Sequence, residues 1–156
     1  MTSHPAAATN ASPAVSVPGR QMEELGVEEA LQLLGSAGMG RIVFTRHALP
    51  AVRPVNHVLD AGDIIVRVQD GSTLGALLAT QQGAGVVVAY EADDIDPGEH
   101  LGWSVVATGY ATAVTDPDEI ERYVRLLEPW AAGSASRAIR IRPDLVTGFR
   151  LREGGP

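Results

Sequence analysis

Hydrophobic residues recur at two spacings along the chain, and these spacings predict both helices and strands. Helical spacing of Leu, Ala and Ile predicts helices over residues 24–35, 72–82 and 116–128, with Ser72 capping the second. β-Branched and apolar runs predict strands over residues 40–45, 51–58, 63–68, 85–91, 101–115, 138–142 and 145–151. Most strands are joined by short turns, and the helices do not alternate regularly with them. The pattern therefore predicts a mainly β fold with flanking helices (α+β), an antiparallel barrel of about six strands.

Several segments and single residues depart from this pattern of helices and strands. Residues 1–20 are rich in Ala, Ser, Pro and Thr, which predicts a disordered N-terminal arm, or an arm that reaches over a partner subunit. Residues 21–152 then form one domain. Residues 91–100 carry five carboxylates and are predicted as an acidic loop. Pro143 is expected to separate the last two strands, and Gly109 to mark a bulge or a close approach.

Composition narrows the possible chemistry. The chain of 156 residues contains no cysteine and no lysine, so all 12 basic residues are arginines. Disulfides, cysteine nucleophiles and Schiff bases on lysine are therefore excluded. The four histidines lack the spacing of metal ligands, so we expect no metal site.

Charge and hydropathy bear on partners and location. A net charge of −7 argues against nucleic acid or an anionic membrane as the main partner. No apolar run reaches the roughly 18 residues of a membrane span, and the N-terminus lacks the pattern of a signal peptide. We expect a soluble, cytoplasmic protein.

The hairpin over residues 51–68 carries polar side chains among its apolar positions. Strand alternation puts Arg53, Val55 and His57 on one face, whereas Pro54 and Asn56 lie on the other. Proline donates no backbone hydrogen bond, so Pro54 is expected at a strand edge or beside a ligand.

A second group of polar residues follows on the neighbouring strand and the next helix. Arg67 lies in the strand, and Ser72 and Thr73 begin the helix. Guanidinium groups, hydroxyls and the N–H groups of a helix N-terminus bind phosphate well. The residues predict a site for an anionic phosphate ligand, although Arg53 and Arg67 taken singly are equally consistent with solvent-facing positions.

The segments together resemble the pyridoxamine 5′-phosphate oxidase-like, FMN-binding split-barrel family. The resemblance rests on the order of GRIVFT, LPAVRPVNHVL, DIIVRV, GSTL, VVVAYE and GWSVVATGYA over about residues 24–151, and it points especially to small actinobacterial members of unassigned substrate. It implies a six-stranded split β-barrel that forms a homodimer, with FMN in two clefts at the interface. It also implies a flavin-dependent oxidoreductase acting on a small-molecule substrate.

The resemblance assigns roles to particular residues. The hairpin that matches residues 53–57 lines the isoalloxazine ring in that family, and the strand and Gly-Ser-Thr step that follow hold the phosphate. The implied ring contacts are Arg53, Pro54, Val55, Asn56 and His57, and the implied phosphate side is formed by Arg67, Val68, Ser72 and Thr73. Residues expected to reach the cleft from the partner subunit are Trp103, Ser104, Trp130 and Arg140. No general acid or base is implied.

One position departs from the family pattern. Thr73 stands where related sequences commonly carry lysine or arginine. Loss of a charge-assisted phosphate bond at a partly desolvated site costs about 1.5–3 kcal/mol, which lowers affinity roughly ten- to hundredfold.

Three alternatives remain open from the sequence. The first is a reductase that uses the deazaflavin coenzyme, although the acidic balance of the chain disfavours its polyglutamyl tail. The second is a non-catalytic flavin- or haem-binding protein, with His47, His57 or His100 as the axial ligand. The third is a dimeric interaction module that binds no cofactor.

Overall fold

Seven strands and three helices make up the part of the chain that the computed structural model describes, residues 19–69, 72–80, 85–127 and 136–154. The strands are β1 (Arg20–Glu24), β2 (Met39–Arg46), β3 (Leu49–Asp60), β4 (Asp63–Gln69), β5 (Val86–Ile95), β6 (Gly102–Ala113) and β7 (Ser136–Glu153). The helices are α1 (Val27–Ser36), α2 (Thr73–Thr80) and α3 (Pro117–Leu126). No helix in these ranges has the length and apolar character needed to cross a membrane.

Six of the strands close into a ring. Their order is β7-β4-β3-β2-β5-β6, and β6 pairs back with β7, all neighbours being antiparallel. β1 adds to the far end of β7 as a seventh strand outside the ring. The predicted six-stranded antiparallel barrel is therefore confirmed.

Apolar side chains from every second residue of the strands fill the barrel interior. Ile42 and Phe44 of β2, Val88 and Tyr90 of β5, and Ile64 of β4 are at most 2 % exposed and belong to one apolar cluster. A second cluster forms outside the ring, where α3 packs on β4 and β7; its buried members are Ile65, Tyr123, Leu127 and Ala138. Because β4 is covered on both faces, its central residues are all apolar.

The N-terminal boundary differs from the prediction. β1 was not predicted, since all five of its residues are exposed and show no apolar alternation. The first helix begins at Val27 instead of residue 24, because Glu24 still pairs with Phe149. Residues 1–18 of the predicted arm lie outside the described part of the chain.

The acidic loop prediction is wrong in its first half. β5 continues to Ile95 and stays in register with β6, with Asp93 opposite Ser104. Burial, reinforced by Asp93, raises the pKa of Glu91 to about 7, as expected for a carboxyl group set in a sheet. Carboxylates at outward positions are compatible with strand pairing, because the hydrogen bonds between the strands are formed by the backbone alone.

The C-terminal segment is one strand rather than two. β7 runs through Pro143, and the register with β6 shifts between Thr108 and Gly109 to accommodate it. Gly109 lies against the Arg142 backbone so closely that a Cβ atom there would overlap its carbonyl oxygen. The expected close approach at Gly109 is confirmed.

Candidate functional site

The barrel is split between β3 and β4. The two strands pair only from His57 opposite Val66 to Asp60 opposite Asp63. Before His57, the described register of β3 is with β2 alone, and beyond Val66 that of β4 is with β7 alone. The two strands therefore diverge, and each presents a backbone edge to the gap.

A cavity of about 260 Å³ occupies this gap. Its floor is apolar, with Ile42 and Phe44 from β2 and Leu74 from α2, and its walls come from β3 and β4. The remaining lining residues are Arg53, Pro54, Val55, Asn56, Arg67, Val68, Gln69, Ser72, Thr73 and Ser136. The mixture of an apolar floor and a few polar groups is typical of a small-molecule site.

Most of the residues predicted for the site meet at this cavity. The cavity is lined by eight of them, namely Arg53, Pro54, Val55, Asn56, Arg67, Val68, Ser72 and Thr73. His57, Trp103, Ser104 and Arg140 are not among the lining residues, and Trp130 lies outside the described part of the chain.

Arginines near the cavity differ from most others in their partners. Across the described ranges, Arg46, Arg53 and Arg67 have no carboxylate within 4 Å. In contrast, six arginines elsewhere form ion pairs with Asp or Glu, and these are Arg41, Arg122, Arg125, Arg140, Arg150 and Arg152. Among the described residues, positive charge without an acidic partner therefore collects around the gap, in a chain of net charge −7.

Arg67 connects the cavity to α3. Its Nη1 donates to the carbonyl oxygen of Leu127 at 2.7 Å, at the C-terminal end of the helix, and its Nε donates to the Ser136 hydroxyl. A cation at a helix C-terminus is favourable because the carbonyl groups there lack intrahelical donors. These bonds hold the guanidinium at the cavity wall.

The N-terminus of α2 also lines the cavity. Ser72 caps the helix as predicted, since its Oγ accepts from the Gly75 N–H at 3.1 Å. The first N–H groups of a helix find no acceptor within the helix itself, and such N–H groups favour an anion beside them. The Nη1 of Arg46 donates to the Thr73 hydroxyl at 3.3 Å.

His57 belongs to the barrel interior. It is 4 % exposed, its Nε2–H donates to the Leu34 carbonyl at 2.7 Å, and its Nδ1 accepts from the Tyr90 hydroxyl. Burial lowers the pKa of His57, an effect that the bond to Leu34 opposes only in part, so the neutral ring is favoured. Both ring nitrogens are thus engaged within the chain.

Arg140 is held in a polar cluster under α3. It donates to Asp63 at 3.0 Å, to Glu119 at 2.6 Å and to the Tyr123 hydroxyl at 2.9 Å. Burial acts to lower the pKa of Arg140, but these acceptors outweigh it and raise that pKa. Arg140 therefore helps to fix α3 on the barrel, and its contact with a cofactor stays a prediction.

Trp103 and Ser104 lie far from the cavity in the same chain. They pair with Arg150 and Phe149, near the end of β7 opposite to Ser136. Trp103 packs against the interior cluster. Their predicted contact is with the cleft of a partner subunit, and it stays a prediction.

Sequence reasoning missed several groups at this site. Alternation within GRIVFT could have shown that Ile42 and Phe44 share the inward face of the strand. Arg46, which follows this segment, is the next residue on the same face. Ser136 carried no signal, because only the pairing of β7 with β4 brings it opposite Gln69.

The comparison with known sequences assigns the chain. The sequence pattern of the family described as pyridoxamine 5′-phosphate oxidase matches residues 26–150. The chain belongs to this family. Protein Rv0080 of Mycobacterium tuberculosis, which is uncharacterized, is 48 % identical over 132 residues, covering 85 % of this chain and 87 % of that protein.

Solved structures of similar proteins agree with the split-barrel assignment. A Corynebacterium glutamicum protein, assigned provisionally as a pyridoxamine 5′-phosphate oxidase, is 30 % identical with a TM-score of 0.69, and the match covers 86 % of this chain and 100 % of that one. An FAD-binding protein of Mycobacterium smegmatis is 27 % identical with a TM-score of 0.63, covering 85 % of this chain and 100 % of that one. The resemblance to the pyridoxamine 5′-phosphate oxidase-like family is confirmed.

Proposed function

We propose that this split-barrel protein binds a flavin, FMN in the first instance, in the gap between β3 and β4 and acts as an oxidoreductase on a small molecule. The observation that carries the proposal is an apolar-floored cavity surrounded by arginines that have no carboxylate partner among the described residues. The similarity to an FAD-binding protein supports a flavin over other anionic ligands.

The donor set suits the two ends of such a ligand. Ile42, Phe44 and Leu74 offer an apolar floor for a flat ring, and the backbone edge beside Pro54 offers hydrogen-bonding groups to its rim. Arg67, Ser72 and the first N–H groups of α2 would hold the phosphate. A bound flavin would supply hydride or electron transfer, while the protein orients the ring and the substrate.

The described part of the cavity lining offers no general acid or base. Among the described lining residues there is no Asp, Glu, His or Tyr.

Haem is a weaker candidate. Coordination by His57 would require the loss of its bond to Leu34 or to Tyr90, inside an apolar interior where an unpaired polar group costs about 1–3 kcal/mol. His47 and His100 are exposed and do not line the cavity.

Titration of the purified protein tests the proposal. We expect FMN to bind with quenching of its fluorescence and a shift of its visible bands, and haem to give no specific Soret band. Parallel titration with the deazaflavin coenzyme measures which ring is preferred. A protein that binds no flavin would refute the proposed function, whether or not it binds the deazaflavin coenzyme.

We also propose that a second copy of the chain completes the site. The cavity of about 260 Å³ lies below the roughly 300–1,000 Å³ of ligand pockets, so one subunit covers only part of a flavin. Beside it, the outer face of the barrel carries an apolar patch that we define as Val52, Val87, Tyr110 and Leu145, each more than 40 % exposed.

Strand pairing makes this outer patch continuous. Val52 pairs with Val43, Val43 with Ala89, Ala89 with Thr108, and Thr108 with Leu145, one residue from each of five neighbouring strands. Residues paired in this way share one face of the sheet. Pro54, two residues from Val52 on the same face, also lines the cavity, so a subunit seated on the patch would lie at the cavity mouth.

Leu145→Glu should yield a monomer that binds FMN poorly. Its side chain is 61 % exposed in one subunit, and an unpaired carboxylate buried at an interface costs several kcal/mol. Leu126→Glu on α3 is the matched control, because Leu126 is 60 % exposed but lies away from the outer patch. Sedimentation with and without FMN measures the oligomeric state and the amount of FMN that sediments with the protein. A dimer in the Leu145→Glu variant would contradict the proposed interface.

A further inference from the structure

We propose that Arg46 is the cation that binds the phosphate end of the ligand at Thr73, an inference that rests on the proposed function and adds a residue to it. Thr73 is neutral and sits where the cavity meets the first turn of α2. Arg46 supplies a positive charge there from another element, β2, since its Nη1 lies 3.3 Å from the Thr73 hydroxyl oxygen.

Alternation along β2 puts Arg46 on the same face of the strand as the cavity floor, just outside the lining. Ile42 and Phe44 face inward and form the cavity floor, and Arg46 is the next residue with the same parity. Its partner in register is Leu49, two positions from Ala51, which pairs with Phe44. The guanidinium therefore lies beyond Phe44 along β2, beside the first residue of α2.

The backbone beside Arg46 fixes this position. His47 and Ala48 form the two-residue turn between β2 and β3, and both have positive φ angles, 50° and 61°. Such a turn suits the twist of a hairpin but is unfavourable for residues other than glycine. With the turn held in this form, β2 and β3 stay paired up to Arg46.

The charges around Arg46 favour an anionic ligand. Among the described residues Arg46 donates to the Thr73 hydroxyl, and no carboxylate oxygen of those residues lies within 4 Å of its guanidinium nitrogens. An ammonium or guanidinium group next to a ligand phosphate forms a charge-assisted bond that a neutral ligand cannot form. The contribution of Arg46 should therefore depend on the phosphate and not on the flavin ring.

Comparison of FMN with riboflavin tests this inference on the full chain. We expect Arg46→Ala to raise the FMN dissociation constant about tenfold, equivalent to about 1.4 kcal/mol, and to leave riboflavin affinity within about twofold of the wild type. Arg152→Ala removes the same charge from an exposed pair with Glu23 at the far end of β7 and should change neither affinity. Adding Thr73→Lys to Arg46→Ala should restore much of the FMN affinity.

The outcomes separate the two proposals. An Arg46→Ala protein that binds FMN like the wild type, or that loses FMN and riboflavin affinity equally, overturns the role of Arg46 while leaving the flavin site intact. A wild-type protein that binds neither FMN nor riboflavin overturns the flavin site itself, and the role of Arg46 with it.

Discussion

Replacement of Arg67 by alanine is expected to weaken FMN binding about ten- to hundredfold and also to destabilise the apo protein by about 1–3 kcal/mol. The first effect follows from the loss of a cation at the cavity wall. The second follows from the loss of the donor to Leu127 and Val124 at the end of α3, whose carbonyls lie 2.7 and 3.4 Å from Nη1. Isothermal titration with FMN and urea unfolding without FMN measure the two effects separately.

Arg67→Lys distinguishes charge from geometry. Lysine keeps the positive charge but cannot donate to Ser136 and Leu127 in the arrangement of a guanidinium, so we expect FMN affinity between those of the wild type and the alanine variant. Ser136→Ala tests geometry alone, because it removes one hydrogen-bond acceptor of Arg67 and leaves the positive charge of Arg67 in place. If a folded Arg67→Ala protein retains wild-type affinity for FMN, the phosphate is not bound at this wall.

Replacement of Gly109 by alanine should lower the free energy of unfolding by about 3 kcal/mol, at the upper end for overpacking. The added Cβ would overlap the Arg142 carbonyl oxygen and come close to Pro143, and both are backbone positions that cannot rotate away. Because β6 and β7 close the ring, separating them disturbs the whole barrel. We expect the melting temperature to fall by roughly 10 °C.

Gly38→Ala is the matched control for this experiment. A Cβ atom at Gly38 meets no atom within 4 Å, so stability should change by less than about 0.5 kcal/mol. Differential scanning calorimetry of both variants makes the comparison. Equal melting temperatures for the Gly109 variant and the wild type would mean that β6 and β7 are not so closely packed there.

Local pattern predicted the elements well wherever burial followed a regular period. β2, β3 and β4 alternate or are continuously apolar, and all three strands were predicted, as were the cap at Ser72 and the close approach at Gly109. β1 was missed because a fully exposed strand has no apolar alternation. The pairing of β5 with β6 decided the structure of residues 91–95, where three carboxylates among five residues had suggested a loop.

In the candidate site, the residues could be predicted from the sequence, whereas their contact partners could not. Arg53, Asn56, Arg67, Ser72 and Thr73 were identified because their residue types suit an anion and their order resembles a known family. The partners of each side chain could not be predicted, since they come from distant segments. Arg140 meets Asp63 and Glu119, and His57 meets Leu34 and Tyr90, through contacts between residues 21 or more positions apart.

By itself, the amino-acid sequence determined the six-stranded barrel, the family and the hairpin that carries the ligand residues, because apolar period and turn chemistry act between near neighbours. Only the tertiary structure decided where β3 and β4 separate to form a cavity, that His57 lies in the interior, and that Arg46 reaches Thr73. Those features depend on strand pairing across the ring, which brings together side chains that no local pattern relates.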